Sequence, residues 1–102
     1  MRKIELMMIE AIKNKKSKTI DNTRIEYLPE VSKTTHSRIE YAKIYLHGNH
    51  IASYAYDLDR FDYNPVTLAN WPSRTTKSRL RALGFQVFTK KGRTYVGTKL
   101  IA

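Results

Sequence analysis

IEYAKIYLHGNHIASYAYDL, residues 39–58, is two alternating β-rich runs around a Gly-Asn pair. Gly and Asn tolerate the positive φ of a two-residue hairpin turn, so the stretch reads as a β-hairpin. With Gly48 and Asn49 as the turn, His47 faces His50, Leu46 faces Ile51, Ile44 faces Ser53 and Ala42 faces Ala55. Side chains alternate along a strand, so these pairs sort into two faces. One is aliphatic and small. The other carries Tyr41, Lys43, Tyr45, His47, His50, Tyr54 and Tyr56. A slip of one residue on either strand would scramble that partition.

Working outward, residues 2–16 have helical spacing: Ile4, Met7, Met8, Ala11 and Ile12 form one stripe. A basic run, Lys13, Lys15, Lys16 and Lys18, suits the C-terminal end of the helix dipole. Asp21-Asn22-Thr23 reads as a turn, 23–28 as a short strand closed by Pro29, and 30–38 as a polar loop that Val31 can anchor. Downstream, 57–65 reads as a loop and 66–71 as a short segment that docks Trp71 before Pro72. Residues 73–83 form a second helix, capped by Ser73 or Thr75 and stopped by Gly84. Thr76, Leu80 and Leu83 make its narrow buried side, Arg74, Lys77 and Arg81 a basic stripe, and Arg79 projects from the opposite flank. A second hairpin over 85–98 turns at Lys91-Gly92, pairing Val87 with Val96, Phe88 with Tyr95 and Lys90 with Arg93.

The expected fold class is α+β: an antiparallel sheet of about five short strands packed with two helices, in the order α-β-β-β-α-β-β. The length of 102 residues fits one domain, with residues 1–18 as an N-terminal helix with a basic end and 20–98 as the sheet-plus-helix core.

Charge is distributed unevenly. Residues 1–62 hold 11 basic and 9 acidic groups, net +2, whereas residues 63–102 hold 8 basic and no acidic groups, net +8. A one-signed segment with no compensating carboxylate points to a polyanionic partner. There is no cysteine, which removes disulfides and thiolate metal sites. No apolar run reaches membrane-spanning length, and Glu5 and Glu10 interrupt the N-terminal apolar pattern, so neither a membrane partner nor a signal peptide is expected.

Three constellations could carry chemistry. Tyr45, Tyr54 and Tyr56 around Lys43 would form a platform on which unpaired bases stack, if neither a second layer nor a second copy of the chain covers that face. Arg74, Lys77, Arg79, Arg81, Lys90, Lys91 and Arg93 would hold phosphates, with a basic helix beside a basic hairpin tip. His47 and His50 straddle the turn, but the nearest carboxylates, Glu40 and Asp57, belong at the far end of the hairpin and supply no third ligand. No P-loop, nucleophile elbow or dinucleotide-binding fingerprint is present.

Asp21-Asn22-Thr23, then LHGNHIA (46–52), then WPSRTTKSRLRALG (71–84) followed by a KKGRTYV hairpin are, together, a combination with a resemblance. Over residues 20–98 the chain resembles small accessory proteins of tailed bacteriophages that carry an HGN-x-IA strand pair and a W-x-S-x-TT-x-x-RL helix. The resemblance implies a phage origin and action in the host cytoplasm, and it brings no catalytic residues. The expected function is therefore non-enzymatic binding of RNA or single-stranded DNA without a cofactor. The alternatives are a host-takeover or counter-defence protein that binds a host protein and, less favoured, a small metal-dependent nuclease built on His47 and His50.

Overall fold

Short turns set the topology. Asp21, Asp59 and Lys91 adopt positive φ in three of the turns, and at each of them the chain folds back so that the next strand pairs directly with the one before it. The computed structural model describes residues 2–31 and 38–101. In chain order its elements are α1 (Lys3–Lys13), β1 (Lys18–Ile20), β2 (Thr23–Val31), β3 (Arg38–Leu46), β4 (Asn49–Ala55), β5 (Arg60–Tyr63), α2 (Pro65–Asn70), α3 (Arg74–Ala82), β6 (Val87–Lys90), β7 (Arg93–Val96) and β8 (Lys99–Leu100). The fold is α+β. Strands β1–β5 form an antiparallel meander in sequential order, and β6–β8 form a second, smaller antiparallel sheet.

The central hairpin turns one residue earlier than its sequence suggests. Leu46 pairs with Asn49, so His47 (φ 49) and Gly48 (φ 80) are the turn residues. Gly48 takes the more strained corner at no steric cost, and Asn49 instead begins β4. Tyr45 pairs with His50, but Ile44 pairs with Ala52, which leaves Ile51 as an extra residue in β4. This β-bulge buries Ile51 and Ala52 together and reverses the alternation beyond them. Tyr54 is therefore opposite Ala42, on the same side as the buried Ile44. The expected division into an aliphatic and a tyrosine face fails for β4, because one inserted residue moves every later side chain to the other face.

The sheet also extends further than expected. Residues 18–20 pair with 23–25 around the Asp21-Asn22 turn, and β5 lies within the stretch that reads as a loop. β2 continues through Pro29, which pairs with Glu40. Proline is tolerated there because β1 ends its pairing at Ile25, leaving that part of β2 as a sheet edge. The loop expected over 30–38 lies outside the described residues between 32 and 37. So do the side chains of Val31, proposed as its anchor, and Ile39.

Helices cover one face of the large sheet. Met8, Ala11 and Ile12 of α1 join Ile25, Ala42, Ile44, Leu46, Ile51 and Ala52 in one buried cluster that also takes in Leu68, Leu80, Leu83 and Val87. Burial of such side chains contributes on the order of 1.5–3 kcal/mol each and fixes α3 against the sheet. Asn64 caps α2 by accepting from the backbone N–H groups of Val66 and Thr67. Trp71 ends this helix and packs edge-on against His47 at the hairpin tip, 5.8 Å between ring centres.

Candidate nucleic-acid interface

Ser73 caps α3 by accepting from the Thr76 backbone N–H at 3.1 Å, and Gly84 follows it at φ +105, beyond the reach of most side-chain-bearing residues. Between these ends the nine-residue helix divides by its period. Thr76, Leu80 and Leu83 are buried, as their spacing predicts, and Arg79 is buried with them at 1% exposure. Arg79 is thus not a phosphate contact. Its guanidinium donates to the Glu5 carboxylate (2.9 Å) and Thr23 Oγ1 (3.1 Å). Ser78 donates to the same carboxylate at 2.5 Å, and the Arg2 backbone N–H donates to its other oxygen at 3.2 Å. Burial pushes the Glu5 carboxyl up. The hydrogen bonds from Ser78, Arg2 and Arg79, with the Arg79 charge, outweigh burial and hold it below its ordinary value. This buried pair ties α1 to α3.

Arg74, Lys77, Ser78 and Arg81 recur at i, i+3, i+4 and i+7 and occupy the adjoining face of α3. With Arg2 at the start of α1 and Thr89 on β6 they line a groove of about 630 Å³. Two of its cations are held by β6: Lys77 Nζ donates to Thr89 Oγ1 at 2.6 Å, and Arg81 Nε donates to the Val87 carbonyl at 2.6 Å. Each keeps further N–H donors for a ligand. The ion pairs among the described residues are Lys15–Glu40, Arg24–Glu26, Arg60–Asp62 and Arg79–Glu5. The groove cations take part in none of them.

The last hairpin has the expected register: Val87 with Val96, Phe88 with Tyr95, and Lys90 with Arg93, closed at Lys91-Gly92. Val87 and Thr94 are buried against the body of the protein, so Phe88, Lys90, Arg93 and Tyr95 share the outward face.

The tyrosines expected to form one platform are separated by the bulge. Tyr45 lies on the sheet face away from the helices, half-buried, with the Arg24 guanidinium 4.3 Å from its ring centre and His50 5.6 Å away. Lys43 shares that face, directly between Glu26 and Ser53 on the neighbouring strands. Tyr54 and Tyr56 turn to the helix side, where they line a cleft of about 340 Å³ with Ile9, Ile12, Phe61 and Leu83. Tyr56 donates its hydroxyl to the Ile12 carbonyl, and burial pushes that phenol up to about 12, so it stays a donor. Tyr54 donates to Asp59, and that hydrogen bond raises the Tyr54 phenol.

His47 and His50 do not converge. His47 packs on Trp71, whereas His50 Nε2 lies 2.8 Å from Ser53 Oγ. Burial, together with the nearby Lys43 charge, lowers the His50 imidazole below its ordinary value. Among the described residues, no three His, Asp or Glu side chains come together as a metal site would need. No helix among them is long and apolar enough to cross a membrane.

Sequence reading missed Arg2, Ser78 and Thr89 as groove residues. Ser78 falls on the Arg74–Lys77–Arg81 stripe by spacing alone, but Arg2 and Thr89 arrive only through packing of α1 and β6 on α3. A family model described as Kyanoviridae Gp96 protein matches residues 1–101. No curated protein and no solved structure matches the chain.

Proposed function

The chain belongs to the Kyanoviridae Gp96 family of bacteriophage proteins, and on that premise we propose that it binds nucleic acid inside the infected host, without chemistry of its own. The observation that carries this reading is the groove formed by Arg2, Arg74, Lys77 and Arg81, where four cations face one space and none is paired with a carboxylate among the described residues. A phosphodiester backbone offers successive anions to such a row, and guanidinium forks match phosphate oxygens in pairs. Lys77 and Arg81 are already anchored through β6, so less side-chain freedom is lost on binding. Unpaired lysines also lie elsewhere on the surface among the described residues, and what sets α3 apart is convergence: four cations from two helices line one space there. That convergence supports a ligand at α3.

The test is fluorescence anisotropy with a labelled mixed-sequence oligonucleotide at low salt. The wild type should bind, and Arg74→Glu/Lys77→Glu should lose most of the affinity while keeping its melting temperature. No binding by the wild type, or equal binding by the variant, would refute the proposal. A groove of this charge also suits an acidic protein surface. Capture of one host protein from nuclease-treated lysate, competing with nucleic acid and lost in the same variant, would replace the proposed ligand with that partner.

A further inference from the structure

We infer that the outward face of the β6–β8 sheet stacks unpaired bases, so that the protein selects single-stranded over duplex nucleic acid. This rests on the phosphate-binding reading of the groove and adds to it the strandedness of the ligand.

Phe88 on β6, Tyr95 on β7 and Leu100 on β8 are successive cross-strand partners and form one apolar row across the sheet. The row is open: Phe88 is 40% and Leu100 47% exposed. The Phe88 and Tyr95 rings stack on each other, at 11° with centres 5.3 Å apart, which leaves their edges and an outer face for a ligand on this exposed side. Two residues along the same strands, about 7 Å away, Lys90 and Arg93 form a basic row, with Lys91 at the turn beyond. A nucleotide spans such a step between its base and its phosphate.

Charge identifies the occupant. A second copy of the chain docking on this face would bring like charges together, whereas a polyanion is complementary to it. Bases add a second match, because every base has a π-face that stacks on an aromatic ring regardless of sequence. Duplex nucleic acid keeps its bases stacked on each other and cannot use the row.

The groove and the platform are neighbours. Thr89 lines the groove, and Phe88 and Lys90 on either side of it belong to the platform. β6 is an edge strand of its sheet, so a single strand wrapping that edge can place its backbone in the groove and its bases on the outer face. A rigid duplex cannot follow that bend.

The experiment measures anisotropy with a labelled single strand and with the matching duplex, for the wild type, Phe88→Ala, Phe88→Trp and Arg74→Ala/Lys77→Ala. Phe88 is exposed at the outer surface, and near-wild-type melting temperatures confirm that its variants fold. Phe88→Ala should weaken single-strand binding roughly 5- to 150-fold and leave duplex binding unchanged, and Phe88→Trp should restore it. The groove variant should weaken both. Equal single-strand and duplex affinity in the wild type, or a Phe88→Ala variant that binds the single strand normally, would overturn the inference and leave the groove reading standing. Failure of the wild type to bind either ligand would overturn both. Binding of the wild type to phosphatidylserine vesicles, lost in Phe88→Ala with no single-strand binding, would assign the face to a membrane instead.

Discussion

Replacing Arg79 by Met separates the buried arginine from its exposed neighbours. Met keeps much of the side-chain volume, so the loss reports the stranded Glu5 carboxylate more than a cavity. Both side chains of the pair are almost wholly buried, at 2% and 4% exposure. Removing one partner of such a pair typically costs about 3–5 kcal/mol. The upper end is limited, because Glu5 can take a proton instead: at pH 7, protonating a carboxyl with an ordinary value of 4.5 costs about 3.4 kcal/mol. The expected loss is therefore about 3 kcal/mol, or on the order of 12 °C in melting temperature for a domain of this size. In the wild type the Glu5 value is depressed, so its stabilisation is complete above pH 4.5 and is lost as pH falls below that. In the variant the stranded carboxyl has a raised value, and its penalty is relieved as pH falls. The stability gap between the two proteins should thus narrow from pH 7 to pH 4.5. Urea unfolding followed by circular dichroism at both pH values measures it, and adding Glu5→Leu to Arg79→Met should recover part of the loss. A gap below about 1 kcal/mol at pH 7, or one that does not change with pH, would refute the buried ion pair.

Other perturbations test the framework that holds the site. Ser73→Ala removes the α3 cap and should destabilise the protein by about 1 kcal/mol, read by thermal melting. Gly48→Ala puts a Cβ at φ +80 in the central turn and should cost about 1–2 kcal/mol, although nothing lies near enough to clash with it. Burial, with the Lys43 charge, lowers the His50 imidazole below its ordinary value of 6.5, so the unfolded chain takes up the proton first as pH falls from there. Stability should decline through that range in the wild type and change less in His50→Gln, measured by urea midpoints.

Much of this architecture can be read from residues. The Lys91-Gly92 turn and its strand register, the Ser73 cap, and the buried Thr76–Leu80–Leu83 side of α3 all follow from local chemistry. The central hairpin is legible only as a hairpin. Which two of His47, Gly48 and Asn49 form the turn depends on how β3 also pairs with β2, and the bulge at Ile51 depends on both Ile51 and Ala52 finding room in the core. Neither leaves a local mark, yet together they move Tyr54 and Tyr56 away from Tyr45. Arg79 is different: it reads as projecting from the flank of α3, yet it follows Thr76 by three residues and precedes Leu83 by four, which puts it at the edge of the buried side. The required partner, Glu5, sits three residues before Met8 on the buried stripe of α1. A lone acid in one buried stripe and a lone base in another are a legible pair once both helices are known to pack together. The groove depends on the same packing, since Arg2 reaches it only because Glu5 holds α1 against α3.

The salt dependence of single-strand binding decides whether the α3 groove meets phosphate. Log affinity plotted against log salt should fall with a slope of about −0.7 for each phosphate neutralised. Arg74→Ala/Lys77→Ala removes two groove cations, so its line should be shallower than the wild-type line by roughly 1.4 and should converge with it at high salt. Two parallel lines would mean that these cations meet no phosphate, and would contradict the groove as the binding site.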